Sequence, residues 1–184
     1  GNSLSTGTIR TMEVEVGGTP VDLYRAFNGE THNYQFPIGE QQSVGVDVEL
    51  TNQGSESVAV TGIDWASDTV AGGFLKNPNV EAVWPSDLAF PITLEVNETF
   101  SFEVQYTPPA QATETDDRDS VLIIASNTRD RDGTNLVPEI SVTFEVPKER
   151  GVAQVSPPNY TFETATPTSP GEHTFVVTND CETG

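Results

Sequence analysis

The sequence predicts an all-β protein: an immunoglobulin-like antiparallel β-sandwich with an N-terminal hairpin and the first strands of a second, incomplete repeat. Three observations lead there. Apolar residues fall at alternate positions in run after run, the period of a half-buried strand, and helical spacing is hard to find. At least seven such runs are separated by clusters of Gly, Pro, Asn and Asp, the count and spacing of a two-sheet sandwich. Two short segments also recur at a nearly constant offset along the 184 residues, as tandem modules do.

In chain order, Met12, Val14 and Val16 alternate with acids, Gly17 and Gly18 supply a turn, and Val21 and Leu23 alternate again, which gives the hairpin. Val44, Val46, Val48 and Leu50 form one face of a strand that ends in an Asn-Gln-Gly turn, and Val58, Val60 and Ile63 mark the next strand. The passage "ASDTVAGGFLKNPNVEAVWPSDLAF", Ala66 to Phe90, then reads as an insertion between the middle strands. "FPITLEV" and "TFSFEVQYTPP" are two further runs. In the second, Phe100, Phe102, Val104 and Tyr106 face one way until Pro108 and Pro109 stop the strand. "SVLIIASN" is mostly apolar, as a strand covered on both faces is, and "EISVTFEV" alternates through Ile140, Val142, Phe144 and Val146.

Charge and Pro in "PKERG", Pro147 to Gly151, break the alternation and mark a boundary. Residues 1–20 are accordingly an N-terminal arm or hairpin, 21–147 the sandwich, and 148–184 a linker with a partial second repeat. Asn33-Tyr34-Gln35-Phe36 matches Asn159-Tyr160-Thr161-Phe162, and Thr51-Asn52 matches Thr178-Asn179, at offsets of 126 and 127 residues.

Composition narrows the partners. Asp and Glu number 28 against 8 Lys plus Arg, and the resulting charge of −20 repels phosphate backbones and anionic headgroups, so nucleic acid is not an expected partner. The longest apolar run, Val121 to Ala125, falls far short of the roughly 20 residues that span a bilayer. A single cysteine, Cys181, precludes an intrachain disulfide. The opening "GNSLSTG" is small and polar, and reads as a cloning scar or as the tether left by removal of a leader.

Tyr34-Gln35-Phe36, Gly39-Glu40, "VDVELTNQGSESVAVTGI", "LEVNETFSFEVQYTPP", "SVLIIASN" and "PEISVTFEV" together resemble the immunoglobulin-like module of the abnormal-spindle/hydin (ASH) type. In bacteria this module is similar to repeats of secreted choice-of-anchor D proteins. The shared pattern is a strand ending Thr-Asn before a Gly/Ser turn, a later strand leading into Tyr-Thr-Pro, and a strand ending Ser-Asn. The resemblance spans roughly Thr31 to Val146, and the Ala66 to Phe90 stretch and the N-terminal hairpin depart from it. It implies a seven-stranded sandwich used at the cell surface or outside the cell, without enzymatic activity, and it supplies no catalytic residues.

Two constellations are chemically suggestive. In "TRDRDGTNLVPE", Asp130, Asp132, Gly133 and Asn135 resemble the centre of a calcium loop, with Glu139 at the closing carboxylate position if Thr128 is the first. Thr128 is not the usual Asp, Asn135 stands where an apolar residue belongs, and an Asp-Gly hairpin turn explains the same residues without metal. The loop "TETDDRD", with Glu114, Asp116, Asp117 and Asp119 around Arg118, joins that candidate site if both loops meet at one end of the sandwich. Trp65 and Trp84 flank the Ala66 to Phe90 stretch. They are either core packing or rings that stack on a glycan. His32 and His173 have no close second ligand and read as surface histidines.

Neither a phosphate loop, a nucleophile elbow nor a metalloprotease helix is present in the sequence. The expected protein is a non-enzymatic module of an exported bacterial surface protein that serves adhesion, spacing or scaffold assembly and needs no cofactor. Two alternatives stand beside it: a filament subunit that exchanges strands through its incomplete C-terminal repeat with other copies or protein partners, and a calcium- or glycan-binding module.

Overall fold

The computed structural model of the protein describes residues 9–37, 42–68, 73–74, 76–109, 118–130, 132–148, 150–156, 161 and 174–182. The elements in order are β1 (Met12–Val16), β2 (Thr19–Pro20), α1 (Leu23–Phe27), β3 (His32–Gln35), β4 (Val44–Asn52), β5 (Val58–Trp65), β6 (Ser67–Asp68), β7 (Gly73–Phe74), β8 (Val80–Val83), β9 (Ile92–Leu94), β10 (Thr99–Tyr106), β11 (Ser120–Ser126), β12 (Glu139–Glu145), β13 (Arg150–Ser156) and β14 (Val176–Glu182). Two compact units result, Gly1–Pro147 and Lys148–Gly184.

The first unit is a sandwich of two five-stranded sheets, in orders β2-β1-β4-β10-β8 and β3-β12-β11-β5-β9. Within them, β1-β4-β10-β8 is the A-B-E-D order and β12-β11-β5 the G-F-C order of the immunoglobulin fold, which establishes the immunoglobulin-like class. Alternation dictates which side chains are inside. Met12, Val14, Val16, Val48, Leu50, Phe102 and Val104 of the first sheet meet Val58, Val60, Leu122, Ile124, Ile140, Val142 and Phe144 of the second in one buried cluster. Phe36 stands 6.0 Å from Phe144 and 5.5 Å from Tyr106, which links the two sheets at one end.

Several elements depart from the sequence expectation. The hairpin turn forms as read, with Gly17 and Gly18 at φ 57° and 76°, the positive values that a two-residue I′ turn demands. The return strand, however, stops at Pro20, and Leu23 opens a helix instead of continuing the alternation. Asp22 causes this by capping: its carboxylate accepts the Tyr24 N–H at 2.9 Å and the Arg25 N–H at 3.3 Å. The helix interrupts the chain between β1 in the first sheet and β3 in the second. There β3 pairs with β12 in parallel, so the second sheet is mixed and not purely antiparallel.

The stretch read as an insertion holds β8, which pairs antiparallel with β10 at the edge of the first sheet, and the short β6–β7 ribbon. β11, read as covered on both faces, is buried on one face and half-buried on the other. In β5 the ladder shifts register: Ala125 faces Gly62 but Ser126 faces Val60, so Thr61 is an extra residue. The bulge reverses the side-chain parity, which is why Ile63, and not Gly62, continues the buried face begun by Val58 and Val60.

The second unit pairs β13 with β14 antiparallel, Ala153 opposite Asn179 and Gln154 opposite Thr178. β13 begins at Arg150, inside the stretch read as linker. The first unit pairs β1 with β4 in the same sense, Met12 opposite Asn52 and Glu13 opposite Thr51. Of the matching segment Asn159 to Phe162, only Thr161 lies within the described residues.

Candidate functional site

The asparagines of the Thr-Asn and Ser-Asn pattern hold turns, and the tyrosine of Tyr-Thr-Pro packs in the core. Asn52 is fully buried at the end of β4. Its amide donates to the Glu56 and Leu94 carbonyls, both at 2.8 Å, while its oxygen accepts the Gly54 N–H at 2.9 Å. A strand end buried in the core needs such a side chain, because an unpaired polar group there costs about 1–3 kcal/mol. Gly54 is required as well: a Cβ there would sit 2.1 Å from the Ile9 carbonyl oxygen. Tyr106 is buried against Phe36. Asn127 follows β11 and replaces a ladder carbonyl, its side-chain oxygen accepting the Ala59 N–H at 2.9 Å. Asn77 plays the same part ahead of β8, donating to the Arg118 carbonyl and accepting the Asn79 N–H.

The loop between β11 and β12 puts Asp130 to the same use. One carboxylate oxygen accepts the N–H groups of Thr134 at 2.8 Å and Asn135 at 3.2 Å, and the other accepts the Asn135 side-chain amide at 2.7 Å. The backbone closes the loop through Asp130 N–H to the Asn135 carbonyl and Gly133 N–H to the Asp130 carbonyl, with Gly133 at φ 70°. Desolvation opposes ionisation of Asp130. The Asn135 and Thr134 hydrogen bonds and the Arg129 charge outweigh it, holding the carboxyl below its ordinary range.

Of the partners expected for Asp130 in a calcium site, the described residues place four as follows. Asp132 and Glu139 are exposed, and Asn135 points its amide at Asp130. Asp119 lies before β11 and accepts the Val146 N–H at 3.3 Å. Glu114, Asp116, Asp117 and His173 fall outside the described residues. Among the described residues no group of three or more His, Cys, Asp or Glu side chains is gathered as a metal site. His32 is half-buried on β3, where burial and then the Arg25 charge lower its pKa.

Trp65 and Trp84 do converge. They line one open groove of about 550 Å³, with Asp64 and Trp65 contributed by β5 and Trp84, Ser86, Leu88 and Phe90 by the segment after β8. The register shift at Thr61 gives Trp65 the inward parity of Ile63, and its ring meets Phe144 edge-on at 6.1 Å. Trp84 packs on Phe102 with ring centroids 4.7 Å apart. Both rings are half-buried, so each rests on the core and keeps part of its surface in the groove. Lys76 reaches over Trp65, its Nζ 5.7 Å from the ring centroid, and donates to the Val80 carbonyl. Asp64, Leu88 and Phe90 were not singled out from the sequence. Adjacency of Asp64 to Trp65 was the available signal.

The outer face of the first sheet is acidic, with Glu15 directly opposite Glu49 and Glu103 directly opposite Asp47. Partial burial, then Glu13 and Glu49, raise the pKa of Glu15.

No family model matches the sequence, and no curated protein does. Among solved structures, the chain is similar to a protein of unknown function from Porphyromonas gingivalis, with 14% identity over 78% of this chain and 51% of that one and a TM-score of 0.40. It thus spans about half the length of that protein. A human ASH/PapD-like domain aligns with 82% of this chain and 94% of its own at 10% identity, TM-score 0.34. The N-terminal domain of PorA aligns over 74% and 97% at 10% identity, TM-score 0.38. These scores are low, and the fold class rests on strand order and register.

Proposed function

We propose that the chain is a non-enzymatic immunoglobulin-like module of the ASH type, as in choice-of-anchor D repeats, within an exported bacterial surface protein. There it serves adhesion, spacing or scaffold assembly. The observation that supports this most is the pairing common to both units. In each, a strand containing Thr-Asn pairs antiparallel with an earlier strand of the same unit, as consecutive sandwiches in a tandem array would. Asn52, Asn77, Asn127 and Asp130, conspicuous in the sequence, are all engaged in holding turns and strand ends of the sandwich. No described helix is long and apolar enough to cross a membrane.

Antibodies raised against residues 9–147 test the reading: they are expected to label intact, unpermeabilised source cells. Labelling that requires permeabilisation would overturn it.

A second reading, strand exchange, is favoured by β14, where Val176 and Val177 are exposed and, among the described residues, β13 is the strand paired with it. Light scattering with and without residues 148–184 separates the two. Concentration-dependent association that only the longer chain shows supports exchange; monomers in both cases remove it.

A further inference from the structure

We infer that the edge of β14 turned away from β13 binds an extended segment of a partner protein, antiparallel to β14, in which aromatic or β-branched residues alternate with polar ones. The inference takes from the strand-exchange reading only the open edge of β14. What carries it is the match between the two units. At constant offsets of 141 residues for the earlier strand and 127 for the later, one ladder becomes the other. Met12 opposite Asn52 becomes Ala153 opposite Asn179, Glu13 opposite Thr51 becomes Gln154 opposite Thr178, and Val14 opposite Leu50 becomes Val155 opposite Val177. In the first unit the other edge of β4 is covered by β10, antiparallel, with Phe100 opposite Leu50 and Phe102 opposite Val48. In the second unit no strand among the described residues takes that place, and Val177, the counterpart of the fully buried Leu50, is 67% exposed. An open strand edge beside exposed apolar side chains is a template for one more strand.

Backbone phase identifies the groups that bond. Odd-numbered positions of β4 bond toward β1, as the Asp47 carbonyl does in accepting the Gly17 N–H at 2.9 Å. Even-numbered ones bond the other way, as Asn52 N–H does in donating to the Glu98 carbonyl at 3.0 Å, one residue before β10. Carried over by the shared register, Val177 turns its N–H and carbonyl to the open edge, while Val176 and Thr178 hold β13. The partner's chemistry follows from β10, which sets Phe100, Phe102, Val104 and Tyr106 on one face and polar residues on the other. A second copy of the chain is the poorer source of such a strand. Its β10 lies between β4 and β8 within its own sheet, and two chains of charge −20 repel each other.

The test titrates the full chain against a labelled peptide with the sequence of Thr99 to Thr107, followed by fluorescence anisotropy. A peptide of the same composition without the alternation is the control. Saturable binding of the first and little of the second is expected. Val177→Pro removes one N–H from the open edge, a place where a strand tolerates proline, and is expected to weaken binding about tenfold. Val177→Asp keeps the N–H, sets a charge on the apolar face and is expected to weaken binding as well. Cross-strand NOEs between Gln154 and Thr178 verify that the β13–β14 pair survives in each variant. Val83→Asp, on the edge strand β8, is expected to leave binding unchanged, which separates this edge from that one. No saturable binding of the alternating peptide, equal binding of the two peptides, or binding that neither Val177 variant weakens would overturn the inference. The peptide reports on single chains, so it can bind where copies fail to associate in light scattering, and fail where they do associate.

Discussion

The β11–β12 loop and the groove beside Trp65 and Trp84 both hold conspicuous side chains, and they use them in opposite ways. Asp130 accepts three N–H donors from its own loop, so its oxygens are occupied by the fold. Asp64 is exposed at the margin of an open groove, its carboxylate on the outer face of β5 beside Gly62, and it has no such donors among the described residues. Two acids of the same chain thus differ in burial, Asp130 being buried and Asp64 exposed, and by one further criterion: whether N–H donors of the local loop reach the carboxylate. The criterion separates a polar group consumed in holding a turn from one left open to solvent, and it extends to Asn52 and Asn127, which resemble Asp130 and not Asp64.

The largest effect is expected where a turn residue is also fully buried. Asn52→Ala leaves the Glu56 and Leu94 carbonyls and the Gly54 N–H without their partner. Stability should fall by about 3 kcal/mol in denaturant unfolding. A loss below a few tenths would mean that the strand end is not held as described. Trp84→Ala is intermediate: half of the ring rests on the core against Phe102, and a loss of about 2 kcal/mol is expected. A null effect would place Trp84 wholly with the groove and sharpen the contrast.

The titrating pair gives smaller effects of opposite sign. Asp130 has a folded pKa below the unfolded value, so its contribution is fully present above the ordinary carboxylate range and is lost as pH falls through the folded pKa. Asp130→Asn should therefore melt lower than the parent at pH 7, and the gap should close in acid. Glu15, raised by partial burial and by Glu13 and Glu49, works the other way. Its charge costs stability above the folded pKa, and the cost fades as pH falls to the unfolded value. Glu15→Gln should melt slightly higher than the parent at pH 7 and match it near pH ~4. Melting curves of both variants across pH 3 to pH 7 check the two signs together.

Most strands were legible because alternation survives wherever one face of a strand is buried, as in Met12–Val16 and Glu139–Glu145. The helix at Leu23 was not. Val21 and Leu23 keep a period of two, and only the Asp22 cap, a three-residue signal, turns the chain. β8 was hidden by length, four residues at a sheet edge within a Gly- and Pro-rich stretch. The groove was half legible. Both tryptophans were named, but their meeting depends on two long-range ladders, β8 with β10 and β5 with β11, and on a one-residue bulge at Thr61. None of these is written locally in the sequence. The role of Asp130 was equally hidden, since an Asp-rich loop spells a calcium site and a hydrogen-bonded turn with the same letters.

The most direct measurement is the melting temperature of the full chain in millimolar calcium, in equal magnesium, and in chelator at matched ionic strength. With the Asp130 oxygens held by Thr134 and Asn135, calcium should give no rise beyond that of magnesium, either in the parent or in Asp130→Asn. A rise specific to calcium that Asp130→Asn abolishes would show that those oxygens are free to leave their turn for a metal, and would contradict the account.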